Sequence, residues 1–151
     1  MKPVMTIAMT ALAIATSASA KPNFSGTWRL NKAKSNYGPV AAPARMERKI
    51  VHEDPMLKMV IVQANDEGER TLEQVYKTDG SPSVNKVGTR EITSVAKWDG
   101  EVLVISSERG DSAQSERWNL SQDGSVLTLV NRIKSPKGNF EVIVVMERTS
   151  Q

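Results

Sequence analysis

The sequence contains no cysteine and a single histidine, His52. Without thiols the chain cannot form a disulfide framework, a thiolate zinc site, an Fe–S cluster or a cysteine nucleophile. With a single imidazole it has little from which to build a histidine-rich metal centre or a Ser-His-Asp triad. We therefore expect no metal, no cofactor and no catalytic residue, and we predict that the protein is not an enzyme.

Long hydrophobic runs and dense charge of one sign are also lacking in most of the chain. Beyond residue 20 the longest apolar run, Val142–Met146, has five residues, whereas a membrane-spanning helix needs about 20. The formal net charge is +3 over 151 residues, and the basic residues are not interleaved with aromatic ones as a nucleic-acid surface requires. We expect neither a membrane span nor nucleic-acid binding.

The first twenty residues have the pattern of a signal peptide. Lys2 supplies a positive charge, residues 4–15 form a short apolar stretch, and Ala18-Ser19-Ala20 is a small-x-small cleavage site. Cleavage after Ala20 leaves a mature chain of residues 21–151. We therefore expect the protein to be periplasmic or secreted.

Within residues 21–151 short runs of alternating apolar residues recur, and each run ends at a turn signal. Three of these signals are Asp-Gly pairs, which favour two-residue hairpin turns. One helical turn is expected near residues 32–36, with Asn31 as its cap. The expected strands are Gly26–Asn31, Arg45–Glu53, Leu57–Asn65, Arg70–Thr78, Val84–Val87, Arg90–Trp98, Val102–Glu108, Ser115–Leu120, Val126–Lys134 and Phe140–Arg148.

Successive hairpins without long crossovers favour an up-and-down barrel over a sandwich, and closure of the barrel removes exposed strand edges. The sequence therefore predicts one all-β domain, a single antiparallel up-and-down β-barrel of about eight to ten strands. Period-two alternation turns many apolar side chains inward, but it also turns polar ones inward. Because buried polar groups need partners or water, we expect a partly hydrated lumen lined by Arg48, His52, Gln63, Gln74, Tyr76, Ser94, Ser107, Glu116 and Asn131.

The most informative short motif is Gly26-Thr27-Trp28. It resembles the Gly-x-Trp opening strand of lipocalins and of the wider calycin group. In that group the tryptophan plugs the closed end of a barrel, and a basic residue from the last strand packs across it. The resemblance assigns Gly26, Trp28 and Arg148 to barrel closure, a structural role in which guanidinium over indole is worth ~0.5–2 kcal/mol.

A closer likeness covers nearly all of residues 21–151. It rests on residues Asn23–Pro39, Thr78-Asp79-Gly80, Ala96–Gly100 with Leu103–Ile105, and Ser115–Leu120. These segments resemble a family of small, exported, lipocalin-like bacterial proteins that are largely uncharacterised. The resemblance therefore implies a fold and a compartment but no particular activity.

Our first hypothesis is reversible binding of a small, mostly apolar or amphipathic molecule in the barrel lumen, without a cofactor. The candidate contacts are Arg48, His52, Tyr76, Trp98 and Glu116, and Arg48 is suited to receive a carboxylate. The alternative is a non-enzymatic structural or interaction module of the cell envelope with a filled barrel. His52 and Glu116 would be the acid and base of an enzyme, but no nucleophile elbow, phosphate loop or metal-ligand spacing accompanies them.

Overall fold

The computed structural model describes residues 20–150, so the predicted signal peptide lies outside the described residues except for Ala20. Within residues 20–150, no helix is long and apolar enough to cross a membrane. The ten strands are β1 (Gly26–Leu30), β2 (Arg45–Glu53), β3 (Met56–Asn65), β4 (Gly68–Lys77), β5 (Pro82–Val87), β6 (Arg90–Asp99), β7 (Val102–Arg109), β8 (Ser112–Leu120), β9 (Val126–Ser135) and β10 (Gly138–Ser150).

The strands form one antiparallel sheet in the order β4-β3-β2-β1-β10-β9-β8-β7-β6-β5. Strands that follow one another in the chain are neighbours, except at the β4–β5 junction, and β1 pairs with β10. The prediction of an all-β up-and-down barrel is therefore confirmed. The predicted helical turn is a single 3-10 turn, Lys32–Lys34, where the side chain of Asn31 accepts a hydrogen bond from the backbone N–H of Lys34.

Strands β4 and β5 lie side by side but share no backbone ladder. Side chains from β5 bridge them instead. The amide of Asn85 accepts from the N–H of Val75 at 2.8 Å and donates to the carbonyl of Val75 at 3.0 Å. The hydroxyl of Ser83 accepts from the N–H of Lys77 at 2.9 Å. The barrel is thus nearly closed, with a seam held by side chains.

The antiparallel order gives the barrel two different ends. The first, called the closed end below, carries residues 20–25 and the connections 54–55, 78–81, 100–101 and 121–125. The second, called the open end, carries the long connection 31–44 and the short turns 66–67, 88–89, 110–111 and 136–137. The long connection contacts β10, since Asn36 forms an isolated bridge with Ile143.

Alternation along the strands sorts side chains as the sequence predicts. On β10, Val142, Val144 and Met146 are buried, while Glu141 and Glu147 are exposed. Each fully buried apolar side chain stabilises the fold by ~1.5–3 kcal/mol. The core that they form extends around the whole barrel and is most tightly enclosed towards the closed end.

Candidate functional site

The open half of the lumen contains a cavity of about 350 Å³. Most of its lining residues carry polar or charged side chains, and its apolar wall is small. Ligand sites usually combine apolar walls with a few oriented polar groups, so this cavity is unusually polar. The lining consists of Met46, Arg48, Ile61, Gln63, Arg70, Leu72, Gln74, Tyr76, Asn85, Ile92, Ser94, Ile105, Ser107, Arg109, Gln114, Glu116 and Asn131.

Three of the five predicted ligand contacts, Arg48, Tyr76 and Glu116, line this cavity. They come from β2, β4 and β8, so the barrel brings together residues that are far apart in sequence. The other polar residues predicted to face inward, listed above, line it too, apart from His52.

Arg48 is the buried cation of the cavity. Its residue is only 7% exposed, and its guanidinium lies 5.9 Å from the ring centroid of Trp118. One terminal N–H donates to the sulfur of Met59 at 3.6 Å, and the same nitrogen lies 3.8 Å from a carboxylate oxygen of Glu116. The Nε atom is buried and has no partner. Arg48 therefore has donor capacity that the protein leaves unused.

Glu116 is the counter-charge of Arg48, but it is shared with another donor. The indole N–H of Trp118 donates to Oε1 of Glu116 at 2.5 Å. This is the oxygen that faces Arg48 across a longer distance of 3.8 Å. A charged hydrogen bond is typically ~2.7–2.9 Å long, so the Arg48–Glu116 contact is a loose ion pair. Directly opposite Glu116, on β9, lies Asn131, whose Oδ1 is buried and unpartnered.

Two tyrosines add neutral hydroxyl groups to this region. Burial raises the pKa of Tyr76, and the charge of Glu116 raises it further, against the opposing effects of Arg48 and Arg109. Burial also raises the pKa of Tyr37, while the charge of Arg48 lowers it. The hydroxyl of Tyr37 is buried without a partner. Both phenols are therefore uncharged at neutral pH and can donate.

Tyr37 was not predicted as a lumen residue. It lies in the connection 31–44, where no strand periodicity assigns a side chain to a face. No strand is predicted there, yet Tyr37 packs against the core. Its contact with the core depends on how the connection 31–44 folds against the barrel, and the neighbouring residues in the sequence do not indicate this.

The rim of the cavity is basic. Arg70 on β4 and Arg109 on β7 are exposed and line the cavity, and neither forms a salt bridge in the described part of the chain. With Arg48, three guanidinium groups in the lining face one carboxylate, that of Glu116. The cavity therefore has a positive potential, which favours an anionic guest.

His52 and Trp98 do not line the cavity, which corrects the expectation that they do. The prediction that both side chains face inward is correct. His52, however, lies four residues beyond Arg48 on β2, about 13 Å towards the closed end. Phe24, which is fully buried, stacks on both rings at centroid distances of 5.4 and 5.8 Å. Alternation along a strand determines whether a side chain faces into or out of the barrel. It does not determine how far along the barrel axis the residue lies.

Both ring nitrogens of His52 are engaged. Nδ1 accepts from the backbone N–H of Phe24 at 3.2 Å, and Nε2 lies 2.5 Å from Oδ1 of Asp54. Asp54 also accepts from the hydroxyl of Thr78 at 2.8 Å. Glu116 lies in the cavity and bonds to Trp118 instead, so the structure does not join His52 and Glu116 into an acid–base pair.

The closed end contains the three residues that the calycin resemblance assigns to closure. Trp28 is fully buried, and its indole N–H donates to the carbonyl of Phe24 at 2.9 Å. The guanidinium of Arg148 lies 4.3 Å from the centroid of Trp28 and donates to the carbonyls of Gly124 and Ser25. Gly26 opens β1 at a φ of 137°, a region that favours glycine.

Among residues 20–150, no group of three or more His, Asp or Glu side chains is arranged to hold a metal ion.

No family model matches this chain, and no curated protein matches it. Solved structures do match. Zebrafish ileal bile acid-binding protein complexed with cholic acid is 14% identical and has a TM-score of 0.60, over 83% of this chain and 98% of that one. Fatty-acid-binding protein 1 of Echinococcus granulosus is 13% identical with a TM-score of 0.63, over 83% and 97%.

A third match, the fluorescent protein UnaG, is 17% identical with a TM-score of 0.64, over 83% of this chain and 97% of that one. At these identities the likeness shows the fold. The chain has a calycin-type β-barrel fold. Membership of the exported lipocalin-like family remains a prediction from the sequence.

Proposed function

We propose that the protein reversibly binds a small amphipathic molecule in the open half of the barrel lumen. The observation that carries the proposal is the cavity of about 350 Å³ beside Arg48, a buried cation whose Nε has no protein partner. Similar barrels named as fatty-acid- and bile-acid-binding proteins support it.

Binding by this cavity needs no cofactor and no chemical step. The apolar part of the guest would leave water against the small apolar wall, which Ile61, Leu72 and Ile105 represent. Such transfer contributes about 25 cal/mol for each Å² of apolar surface removed from water. The polar part of the guest would meet Arg48, whose planar guanidinium suits a carboxylate.

The alternative, a module with a filled barrel, agrees with only one half of the lumen. Aromatic rings fill the closed end, where Phe24, Trp28 and Trp118 have no exposed surface. The open half holds the cavity instead. A protein that only had to be stable would be expected to fill both halves with apolar side chains, because unpartnered buried polar atoms cost stability.

We also propose that the protein acts in the periplasm or outside the cell, in a form that begins at Lys21. Lys21 belongs to the fold, since its ammonium donates to the carbonyl of Gly100 at 2.7 Å and lies 5.4 Å from the ring of Trp98. Cleavage after Ala20 would keep these contacts. Mass measurement of the protein secreted by its host tests this, and an intact mass that includes residues 1–20 would contradict it.

Native mass spectrometry of protein purified from its own host tests the binding proposal. We expect a retained small molecule in the wild type and its loss in Arg48→Met. The matched control is Arg132→Met, on the outer face of β9, where Arg132 pairs with Glu141 at 2.9 Å. A ligand retained equally by both variants would contradict the proposal, as would a wild-type protein that carries none and binds no amphipathic anion.

A further inference from the structure

The cavity holds a specific arrangement of unused polar groups, which bears on the chemistry of the guest. In the described part of the chain three buried side-chain atoms have no hydrogen-bond partner: Nε of Arg48, the hydroxyl of Tyr37 and Oδ1 of Asn131. Most buried polar groups in folded proteins are partnered. Two of the three exceptions, Arg48 and Asn131, belong to residues that line the cavity beside Glu116.

The donor of this group is Arg48. Arg48 is buried and positively charged, and its Nε–H is free. Its guanidinium lines the cavity and lies 3.8 Å from the carboxylate of Glu116. Arg48 therefore offers a charged donor to an acceptor that carries negative charge.

The acceptors lie directly opposite each other on adjacent strands. Asn131 of β9 pairs with Glu116 of β8, so an amide and a carboxylate stand side by side next to the guanidinium. A simple carboxylate bound to Arg48 would lie close to the carboxylate of Glu116, and like charges in a partly buried site repel. An O–H or N–H donor on the guest would instead hydrogen-bond to these acceptors.

We infer that the guest's polar group is an anionic acceptor with a neighbouring O–H or N–H donor, as in a 3-hydroxy acid or an N-acyl amino acid. This inference rests on the proposed function. The anion binds Arg48, and the donor binds Glu116 and Asn131. Arg70 and Arg109 at the rim add the positive potential that draws the anion in. A plain fatty acid satisfies the first half of this site and not the second.

A matched pair of probes tests the inference: decanoate and 3-hydroxydecanoate, which differ by one hydroxyl group. Calorimetric titration of the protein as its host produces it, after delipidation, gives both affinities. We expect 3-hydroxydecanoate to bind about tenfold more tightly, because a site built to bond a hydroxyl discriminates against an analogue that lacks it.

Two variants assign the discrimination to the acceptors. In the double variant Glu116→Leu/Asn131→Leu, which lacks both acceptors, the ratio of the two affinities should fall to within about twofold. Decanoate should bind Glu116→Gln more tightly than wild type, because the repelling charge is gone. Glu141→Gln, on the outer face of β10, is the control and should keep the wild-type ratio. Thermal melts of each variant verify that it is folded.

The outcomes separate the inference from the function on which it rests. Equal affinities for both probes in wild type, with loss of both in Arg48→Met, would overturn the inference and leave lumen binding intact. A tenfold ratio that survives in the double variant Glu116→Leu/Asn131→Leu would also overturn it. If neither probe binds and native mass spectrometry finds no retained molecule, the inference and the proposed function both fail.

Discussion

The barrel contains two arginine–tryptophan pairs, one across the closed end and one between the closed end and the cavity, and they differ in how their donors are used. Arg148 lies 4.3 Å from the centroid of Trp28 and donates to two backbone carbonyls. Arg48 lies 5.9 Å from the centroid of Trp118, donates to a sulfur and keeps a free Nε–H. The same residue types therefore close the fold in one place and keep an unpartnered donor in the other.

The partner of each indole N–H makes the same distinction. Trp28 donates to a carbonyl of the N-terminal segment, which ties residues 20–25 across the closed end. Trp118 donates to Glu116, which aligns a carboxylate at the edge of the cavity. We conclude that substitutions at the closed end should mainly reduce stability, while substitutions around Arg48 should mainly reduce binding.

The largest expected effect is that of Trp28→Ala. Trp28 has no exposed surface, and truncation of a buried aromatic side chain typically costs ~3–5 kcal/mol. Urea unfolding followed by circular dichroism measures this loss. A loss below about 1 kcal/mol would show that the closed end is not the stabilising region described here.

Arg148→Met comes next. It removes the contact with Trp28 and leaves the carbonyls of Ser25 and Gly124 without that donor, so we expect a loss of about 2 kcal/mol in the free energy of unfolding. The same unfolding experiment measures it. An unchanged midpoint would contradict the closure role of Arg148.

In Arg48→Met we expect the larger effect on binding and the smaller effect on stability. Arg48→Met leaves the carboxylate of Glu116 without its counter-charge, which costs stability. Because the ion pair is long and Glu116 keeps the hydrogen bond from Trp118, we expect a smaller loss of stability than in Arg148→Met. Binding of the retained molecule should fall at least about tenfold, measured by calorimetry. A stability loss as large as that of Arg148→Met, with unchanged affinity, would remove the distinction between the two arginines.

A smaller effect is expected at the seam between β4 and β5. Asn85→Ala removes two hydrogen bonds to the backbone of Val75, so we expect a loss of about 1–2 kcal/mol and faster hydrogen exchange at the amide of Val75. Asn119→Ala on β8 is the control, since the side chain of Asn119 forms no hydrogen bond in the described chain, and should change stability by less than about 0.5 kcal/mol. Equal effects of the two variants would contradict the seam's role.

The smallest expected effect is pH-dependent and lies at the closed end. Hydrogen bonds from Ser121 and Ser125 lower the pKa of Asp123 from 3.8 to about 2. A lowered pKa in the folded state means that the ionised carboxylate stabilises the fold above the unfolded value of 3.8, and that this contribution disappears as the pH falls towards 2. The melting temperatures of wild type and Asp123→Ala should therefore converge between about pH 4 and pH 2. Curves that stay parallel over this interval would contradict the assignment.

The fold could be predicted from the sequence because its signals are local. Turn residues such as Asp99-Gly100 separate the runs, and period-two alternation within each run assigns its faces. The contact between Trp28 and Arg148 is the one that the Gly-x-Trp resemblance implies. These features depend on residues near in sequence or on a motif.

The site was predicted only in part, because alternation does not fix height along the barrel. His52 and Trp98 face inward as predicted, but the N-terminal segment covers them through Phe24. Tyr37 comes from an irregular connection, and the bridge formed by Asn85 depends on two strands that no hairpin ladder joins. These arrangements arise only when distant segments meet.

The most direct measurement compares the two guanidinium groups in one experiment. Nitrogen-detected NMR resolves the Nε–H signals of Arg48 and Arg148 while 3-hydroxydecanoate is added to the labelled protein. We predict that the Arg48 signal shifts until the site is saturated and that the Arg148 signal, already bonded to the carbonyl of Gly124, stays in place. A shift confined to Arg148, or saturable binding with no change at Arg48, would contradict the assignment of the cavity as the binding site.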